Sequence, residues 1–148
     1  MFEHTIHRVE VSMCVRLTPG GTLAENYGEL VKHIPAAVEE MHKAGKSLTL
    51  LVYFARGLST PDSEWRAQIA KMSSPPWFRP MVAIVSPNLI WRSVVSAMTF
   101  IRRPGFDENI FSDAESGLRW LESRRGKLPE LERSLRGWGL VGTGHNVG

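Results

Sequence analysis

The chain has little of several features that would mark a particular class of protein. It contains one cysteine, Cys14, which excludes an internal disulfide and favours a reducing compartment. Its longest clean apolar run, residues 48–55, is eight residues long, whereas a helix that spans a bilayer needs about 20. The first ten residues mix charged and apolar side chains, unlike a signal peptide. These absences predict a cytoplasmic protein without an integral membrane segment.

Signatures of nucleic-acid binding, metal binding and catalysis are also missing. The net charge of +3 comes from 18 basic and 15 acidic residues that alternate along the chain, so nucleic acid is not an indicated partner. His4 and His7 are three apart in a strand-like stretch and would point to opposite faces, which does not suit a metal site. Cys14 has no identifiable base nearby and is interpreted as a packed thiol. The sequence therefore predicts no catalytic residue, no metal and no cofactor.

The N-terminal half carries clear periodic patterns. Apolar and polar residues alternate over residues 9–17, which predicts a half-buried strand, and residues 2–7 are a candidate partner strand. After a Pro-Gly-Gly break, Thr22 and Glu25 fit a capping box that begins a helix with an apolar stripe as far as Met41. Pro35 interrupts this stripe and predicts a kink or two consecutive helices. Gly45 is the expected helix stop.

The rest of the chain alternates strands with helices. Residues 48–55 and 81–85 are continuously apolar and predict adjacent parallel strands, and residues 109–111 predict a short strand. Helices are expected from Pro61 to about Met72, over 88–101, after a capping box of Ser112 with Glu115, and over 128–136. In the third of these we expect Leu121 and at least one of Leu118 and Trp120 to be mostly buried. The predicted fold is a single-domain α/β structure over residues 1–136, with parallel central strands, an antiparallel N-terminal edge and four to five helices, followed by a Gly-rich tail over 137–148.

Four stretches resemble the STAS domain, and more closely its SpoIIAA-like group, also described as STAS/SEC14-like proteins. They are VSMCVRLTPGGTL, LTLLVYFA, RPMVAIVSPNLIWRSVVSAMTFIRRP and NIFSDAESGLRWLESR, and the resemblance covers about residues 5 to 124. It rests on apolar spacing rather than on a chemical signature. The resemblance implies a STAS-like fold, a regulatory role through a protein partner, and a relationship to lipid-binding folds.

The Ser59-Thr60 pair has two interpretations. In STAS anti-sigma-factor antagonists, which this region resembles, a phosphorylatable serine lies where the central strand runs into the next helix. The Asp-Ser-Ser-Gly-like motif of that family is absent here, where residues 55–58 read ARGL. The local chemistry instead predicts that Thr60 is the N-cap of a helix beginning at Pro61 and that the pair is not constitutively phosphorylated.

Ligands of α/β sheets sit beyond the carboxyl ends of parallel strands. The residues expected there form a rim able to accept an anion, a small ligand or a partner. They are Arg56, Gly57, Ser59, Thr60, Ser86, Asn88 and Arg92. The plainer interpretation of the same residues is helix caps and solvated arginines.

Three functions fit these features, in decreasing order of preference. The first is a non-enzymatic regulatory or scaffold domain that binds another protein or a second copy of itself. The second is a carrier of a small apolar ligand or lipid, since the STAS/SEC14-like proteins that the chain resembles are related to lipid-binding folds. The predicted helix from Leu89 to Ile101 is apolar around much of its circumference, which suits either deep burial or a movable lid over an apolar pocket. The third is an enzyme. Trp77 and Phe78, which stand between prolines, either plug the core or form an exposed partner surface.

Overall fold

A computed structural model describes residues 1–88, 92 and 107–142 of the chain, and these form five strands and four helices. The strands are β1 (Phe2–His7), β2 (Ser12–Leu17), β3 (Thr49–Phe54), β4 (Met81–Val85) and β5 (Asp107–Phe111). The helices are α1 (Leu23–Lys43), α2 (Ser63–Met72), α3 (Ala114–Arg125) and α4 (Pro129–Gly137). The helix predicted over 88–101 lies outside the described residues apart from 88 and 92, and so do residues 143–148.

The strands form one mixed sheet in the order β1-β2-β3-β4-β5. β1 pairs antiparallel with β2, and the remaining pairs are parallel. In the central pair of strands, Leu51 of β3 lies opposite Ala83 of β4. The predicted α/β class, the antiparallel N-terminal edge and the adjacent parallel strands at 48–55 and 81–85 are therefore confirmed.

Apolar side chains pack on both faces of the sheet. On one face, α1 and α2 cover alternate residues of the central strands, among them Val15, Leu50 and Ile84. On the other face, α3 and α4 cover the intervening residues, among them Leu51 and Ala83. Each central strand is buried on both sides, which explains why β3 and β4 read as continuous apolar runs.

The prediction of a half-buried strand over residues 9–17 is wrong about where the strand begins and about how much of it is buried. β2 begins at Ser12, because the chain still turns before it: Val9 is 92% exposed and Val11 has a φ of 56°. Its second face is buried as well, since Cys14 is fully enclosed in the cluster that contains Leu131 and Leu135 of α4. The covering helix lies more than a hundred residues further along the chain, beyond the reach of a local pattern.

The predicted ends of α1 are confirmed. The Thr22 side chain accepts from the Glu25 amide, and the Glu25 carboxylate accepts from the Thr22 amide at 2.6 Å. At the other end, Gly45 adopts a φ of +75°, and the amides of Gly45 and Lys46 donate back to the carbonyls of His42 and Met41. This pattern is a Schellman motif, in which glycine meets the left-handed backbone without steric cost. α1 runs through Pro35 as one helix, so two consecutive helices are not formed.

Two predicted helix caps are wrong. α2 begins at Ser63 with Asp62 as its N-cap, and the Asp62 carboxylate accepts from the Trp65 amide at 3.0 Å. Thr60 lies two residues too early for its hydroxyl to reach that first turn, and it is exposed. α3 likewise begins after Asp113 rather than Ser112. Asp113 accepts from the Ser116 amide at 2.8 Å, and this hydrogen bond lowers the pKa of its carboxyl.

The corrected cap of α2 leads to a paired stability prediction. Replacing Asp62 with alanine should lower the free energy of unfolding by about 0.5–2 kcal/mol, because an amide of the first turn loses its acceptor. The same change at exposed Thr60 should stay within about 0.5 kcal/mol of the parent. Urea denaturation of the two variants measures both values. A larger loss for Thr60→Ala than for Asp62→Ala would contradict this assignment of the cap.

The remaining aromatic and C-terminal predictions concern packing. Phe78 is 3% exposed and belongs to the core with α1, and Trp77 packs partly buried against it, which agrees with the core-plug interpretation. Leu118 and Leu121 are both fully buried, as predicted.

The Gly-rich segment predicted as a tail is partly packed. α4 extends to Gly137, and Val141 is 8% exposed in the apolar cluster on the face covered by α3 and α4. Residues 137–142 thus contribute to the packing of the domain.

Candidate functional site

The predicted rim separates into two groups of residues. Gly57, Ser59 and Thr60, in the loop that follows β3, line one cleft. Ser86, directly after β4, is instead 1% exposed. Its hydroxyl accepts from the Asn88 amide at 3.2 Å and its carbonyl accepts from the Arg92 guanidinium at 3.2 Å. This second group is hydrogen-bonded within itself after β4 and does not line the cleft, and Arg92 is partly buried rather than solvated.

The cleft lies at the carboxyl ends of β2 and β3, beside the start of α1, and encloses about 290 Å³. Two loops and the first turn of the helix form its walls. The lining residues are Pro19, Gly20, Gly21, Leu23, Asn26, Gly57, Leu58, Ser59 and Thr60. Arg56 is exposed next to this lining but is not part of it. The position is the one expected for a ligand of an α/β sheet.

The loop after β3 is held against α1 by two adjacent residues, Leu58 and Ser59. Leu58 is 5% exposed in the core, and the Tyr27 hydroxyl donates to the Ser59 carbonyl at 2.6 Å. Gly57 has a φ of +80°, and a Cβ atom there would lie 3.2 Å from Cγ of Pro19 in the facing loop. Any larger residue at this position would meet both backbone strain and a crowded neighbour. The loop therefore has a defined shape rather than a variable one.

Asn26 is the most unusual residue of the cleft. It is 4% exposed, and its Nδ2 donates to the Gly20 carbonyl at 3.0 Å, which ties the first loop to α1. Its Oδ1 is buried and accepts no hydrogen bond within the described part of the chain. Such an atom costs free energy unless a ligand or water completes it. The sequence offered no signal for Asn26, because it lies beside the apolar stripe of α1 rather than in a polar motif.

A second polar cluster lies between β1, β2 and α4, and the sequence did not predict it. The Ser134 hydroxyl is 3.1 Å from Nε2 of His7, and Nδ1 of His7 is 3.6 Å from the Glu130 carboxylate. This order matches a nucleophile, a base and an orienting carboxylate. Ser134, however, lies inside α4, where the surrounding amides bond within the helix and are not aimed at a developing oxyanion. We therefore interpret the cluster as partly buried polar packing, in which His7 is buried and Ser134 and Glu130 are partly exposed.

The single thiol belongs to the same region. Burial raises the pKa of Cys14 to about 11, although contacts with Ser134 and Thr5 act in the opposite direction. The thiol is consequently protonated near neutral pH, and only the thiolate is a strong nucleophile. The interpretation of Cys14 as a packed thiol is confirmed by its complete burial.

His4 lies at the surface, stacked on α1. Its ring centre is 4.4 Å from that of His33 and 5.4 Å from that of Phe2. Burial and the neighbouring His33 lower the pKa of His4, and Glu29 partly offsets this. Within residues 1–88, 92 and 107–142, no three histidine, cysteine, aspartate or glutamate side chains are grouped so that they could hold a metal ion.

Comparison with protein-family models, curated proteins and solved structures finds no match to this chain. The STAS-like assignment therefore stays a prediction, and the coarser α/β class with a mixed five-stranded sheet is what the topology establishes. Among the described helices, none is long and apolar enough to cross a bilayer.

Proposed function

We propose that the chain is a non-enzymatic regulatory or scaffold domain that binds a protein partner through the loop after β3. The observation that carries this proposal is the contrast within that loop. Leu58 and Pro61 are buried, whereas Arg56, Ser59 and Thr60 are exposed. Polar side chains held outward on a fixed loop form a surface that can be recognised without first paying to order it.

The chemistry of the adjacent cleft favours binding over catalysis. None of its nine lining residues carries a titratable side chain. General acid–base catalysis needs a group that exchanges protons near the working pH, and nucleophilic catalysis needs a base beside the nucleophile. Ser59 and Thr60 have no such base among the lining residues, so their hydroxyls act as hydrogen-bonding groups.

The alternative function, a carrier of an apolar ligand, rests on the resemblance to STAS/SEC14-like proteins and on an apolar helix over residues 89–101, which apart from residue 92 lies outside the described residues. In the described part, α1 and α2 fill one face of the sheet and α3 and α4 fill the other. The cleft itself combines backbone, hydroxyl and amide groups with two leucines, and its volume of about 290 Å³ is at the low end for ligand pockets. Protein binding is accordingly the function that we favour.

Site-specific photo-crosslinking in the native host tests the proposed partner surface. A photoreactive amino acid in place of Thr60 should give a discrete protein adduct, and Arg56→Glu should abolish that adduct. The matched position is Arg133, which is exposed on α4 on the opposite face of the sheet. The same photoreactive amino acid in place of Arg133 should give no discrete adduct. Arg133→Glu in the chain labelled at position 60 should leave the adduct at position 60 unchanged.

Two results would overturn the proposal. One is the same set of adducts from positions 60 and 133, which would indicate random collisions. The other is a chain that remains monomeric in host extract with no adduct at position 60. Native mass spectrometry of the protein purified from its host distinguishes partner binding from the carrier function. A retained apolar small molecule without a protein partner would favour the carrier.

A further inference from the structure

We propose that the cleft beside α1 binds an uncharged amide group, whose N–H donates to Oδ1 of Asn26 and whose carbonyl accepts from the first amides of α1. Nothing in this proposal depends on the partner-binding function, since the cleft and its unpaired groups belong to the isolated chain. The shared chemistry could come from a small carboxamide or from the main chain of a peptide.

The acceptor in this site is Oδ1 of Asn26. The hydrogen bond from its Nδ2 to the Gly20 carbonyl fixes the side-chain amide, so that the oxygen is the atom left without a partner. A ligand therefore gains by bringing a donor, and a carboxylate has none to offer. A ligand that leaves a buried acceptor unsatisfied loses more affinity than a ligand that differs only slightly in shape.

The donors come from the first turn of α1. Of the four amides that a helix start leaves without intrahelical acceptors, those of Thr22 and Glu25 are used by the capping box. The amides of Leu23 and Ala24 remain, and Leu23 lines the cleft. Donors at a helix start and an acceptor one turn later match the two ends of an amide group.

The lining and the helix start favour a neutral ligand over an anion. The nine lining residues carry no formal charge, although two cations lie beside them: the N-terminal ammonium, which donates to the Gly20 carbonyl at 3.1 Å, and exposed Arg56. The Glu25 carboxylate already occupies the helix start, with Oε1 2.9 Å from where a Cβ atom of Gly21 would lie. This carboxylate compensates the positive end of the helix dipole and repels a second anion. Pro19, Leu23 and Leu58 add an apolar wall, which suits a carboxamide or peptide rather than a phosphate.

An isosteric pair of probes tests the proposal by two-dimensional NMR of the ¹⁵N-labelled chain. Titration with acetamide should shift the amides of Leu23 and Ala24 and the side-chain NH₂ of Asn26, with a saturable dissociation constant on the order of millimolar, as expected for a four-atom ligand. Acetate, which has the same shape without the donor, should bind at least tenfold more weakly. N-methylacetamide and N-acetylglycinamide then distinguish a primary amide from a peptide main chain.

Variants locate the site. Asn26→Leu should weaken acetamide binding at least tenfold, whereas Asn109→Leu, the same substitution on exposed β5, should leave it unchanged. The spectrum of each variant reports whether it is folded, and the acetamide–acetate comparison on the parent chain decides the question if Asn26→Leu is not. Three results would overturn the proposal: acetate binding as well as acetamide, equal shifts at the start of α3, or no saturable shift, which would leave Oδ1 to a water molecule only.

Discussion

Replacing Leu121 with alanine should lower the free energy of unfolding by about 2–5 kcal/mol, the range for large-to-small substitutions in a core. Leu121 is fully buried in α3, in the cluster that also contains Leu118, Ala83 and Leu131. The substitution removes apolar surface from the core and leaves a cavity that the helix and the sheet can close only in part. Urea denaturation followed by circular dichroism measures the loss.

Ser123→Ala on the same helix is the matched control. Ser123 is exposed, and its hydroxyl donates to the Trp120 carbonyl one turn back. Its removal should change the free energy of unfolding by no more than about 0.5 kcal/mol. If the two variants unfold at the same urea concentration, α3 is not docked on the sheet as the structure has it.

The central strands could be predicted from sequence because their burial is symmetrical. Apart from Thr49, residues 48–55 and 81–85 have apolar side chains at successive positions, and short runs of this kind between turn signals are typical of a strand covered on both faces. The strand near Cys14 was misassigned for the opposite reason. Its polar face, with Ser12 and Cys14, looks solvated until α4 covers it, and no local pattern reports on a helix so distant in sequence.

The misplaced caps reflect competition between neighbouring residues of similar preference. Thr60 and Asp62 are both good N-caps, as are Ser112 and Asp113, and side-chain chemistry does not choose between them. The path of the chain does: the Tyr27 hydroxyl holds the Ser59 carbonyl, and the extended backbone at Asp62 aligns its carboxylate with the first turn.

Of the residues that line the cleft, the sequence predicts only those in the loop after β3. Gly57, Ser59 and Thr60 follow an identifiable strand, so their place at the edge of the sheet could be inferred. The sequence places Gly20 in a Pro-Gly-Gly break and gives no signal for Asn26, which lies outside the apolar stripe of α1. Their approach to the loop after β3 depends on the pairing of β2 with β3, which is a tertiary contact.

α4 depends on a hydrogen-bonding group from the opposite end of the chain. Its N-cap residue, Leu128, offers no side-chain acceptor to the first turn. The Glu10 carboxylate, in the turn between β1 and β2, replaces it by accepting from the amides of Glu130 at 2.8 Å and Leu131 at 2.9 Å. The Ser12 hydroxyl donates to the same carboxylate at 2.9 Å. A residue in the N-terminal hairpin therefore completes the last helix of the domain.

Glu10→Ala should consequently lower the free energy of unfolding by about 1.5–3 kcal/mol, the range for hydrogen bonds to a charged group, because two part-buried amides lose their acceptor together. Glu10→Gln should lose less, since one oxygen survives while the charge that complements the helix dipole does not. Glu39→Ala is the control: its carboxylate pairs with exposed Lys43 at 3.4 Å, and such a pair contributes about 0–1 kcal/mol. The urea midpoints give the order of stability of the three variants. Amide hydrogen exchange should accelerate at both Glu130 and Leu131 in Glu10→Ala, at one of them in Glu10→Gln and at neither in Glu39→Ala. Equal losses for Glu10→Ala and Glu39→Ala, with unchanged exchange at α4, would mean that the helix is held by Leu131 and Leu135 without this cap.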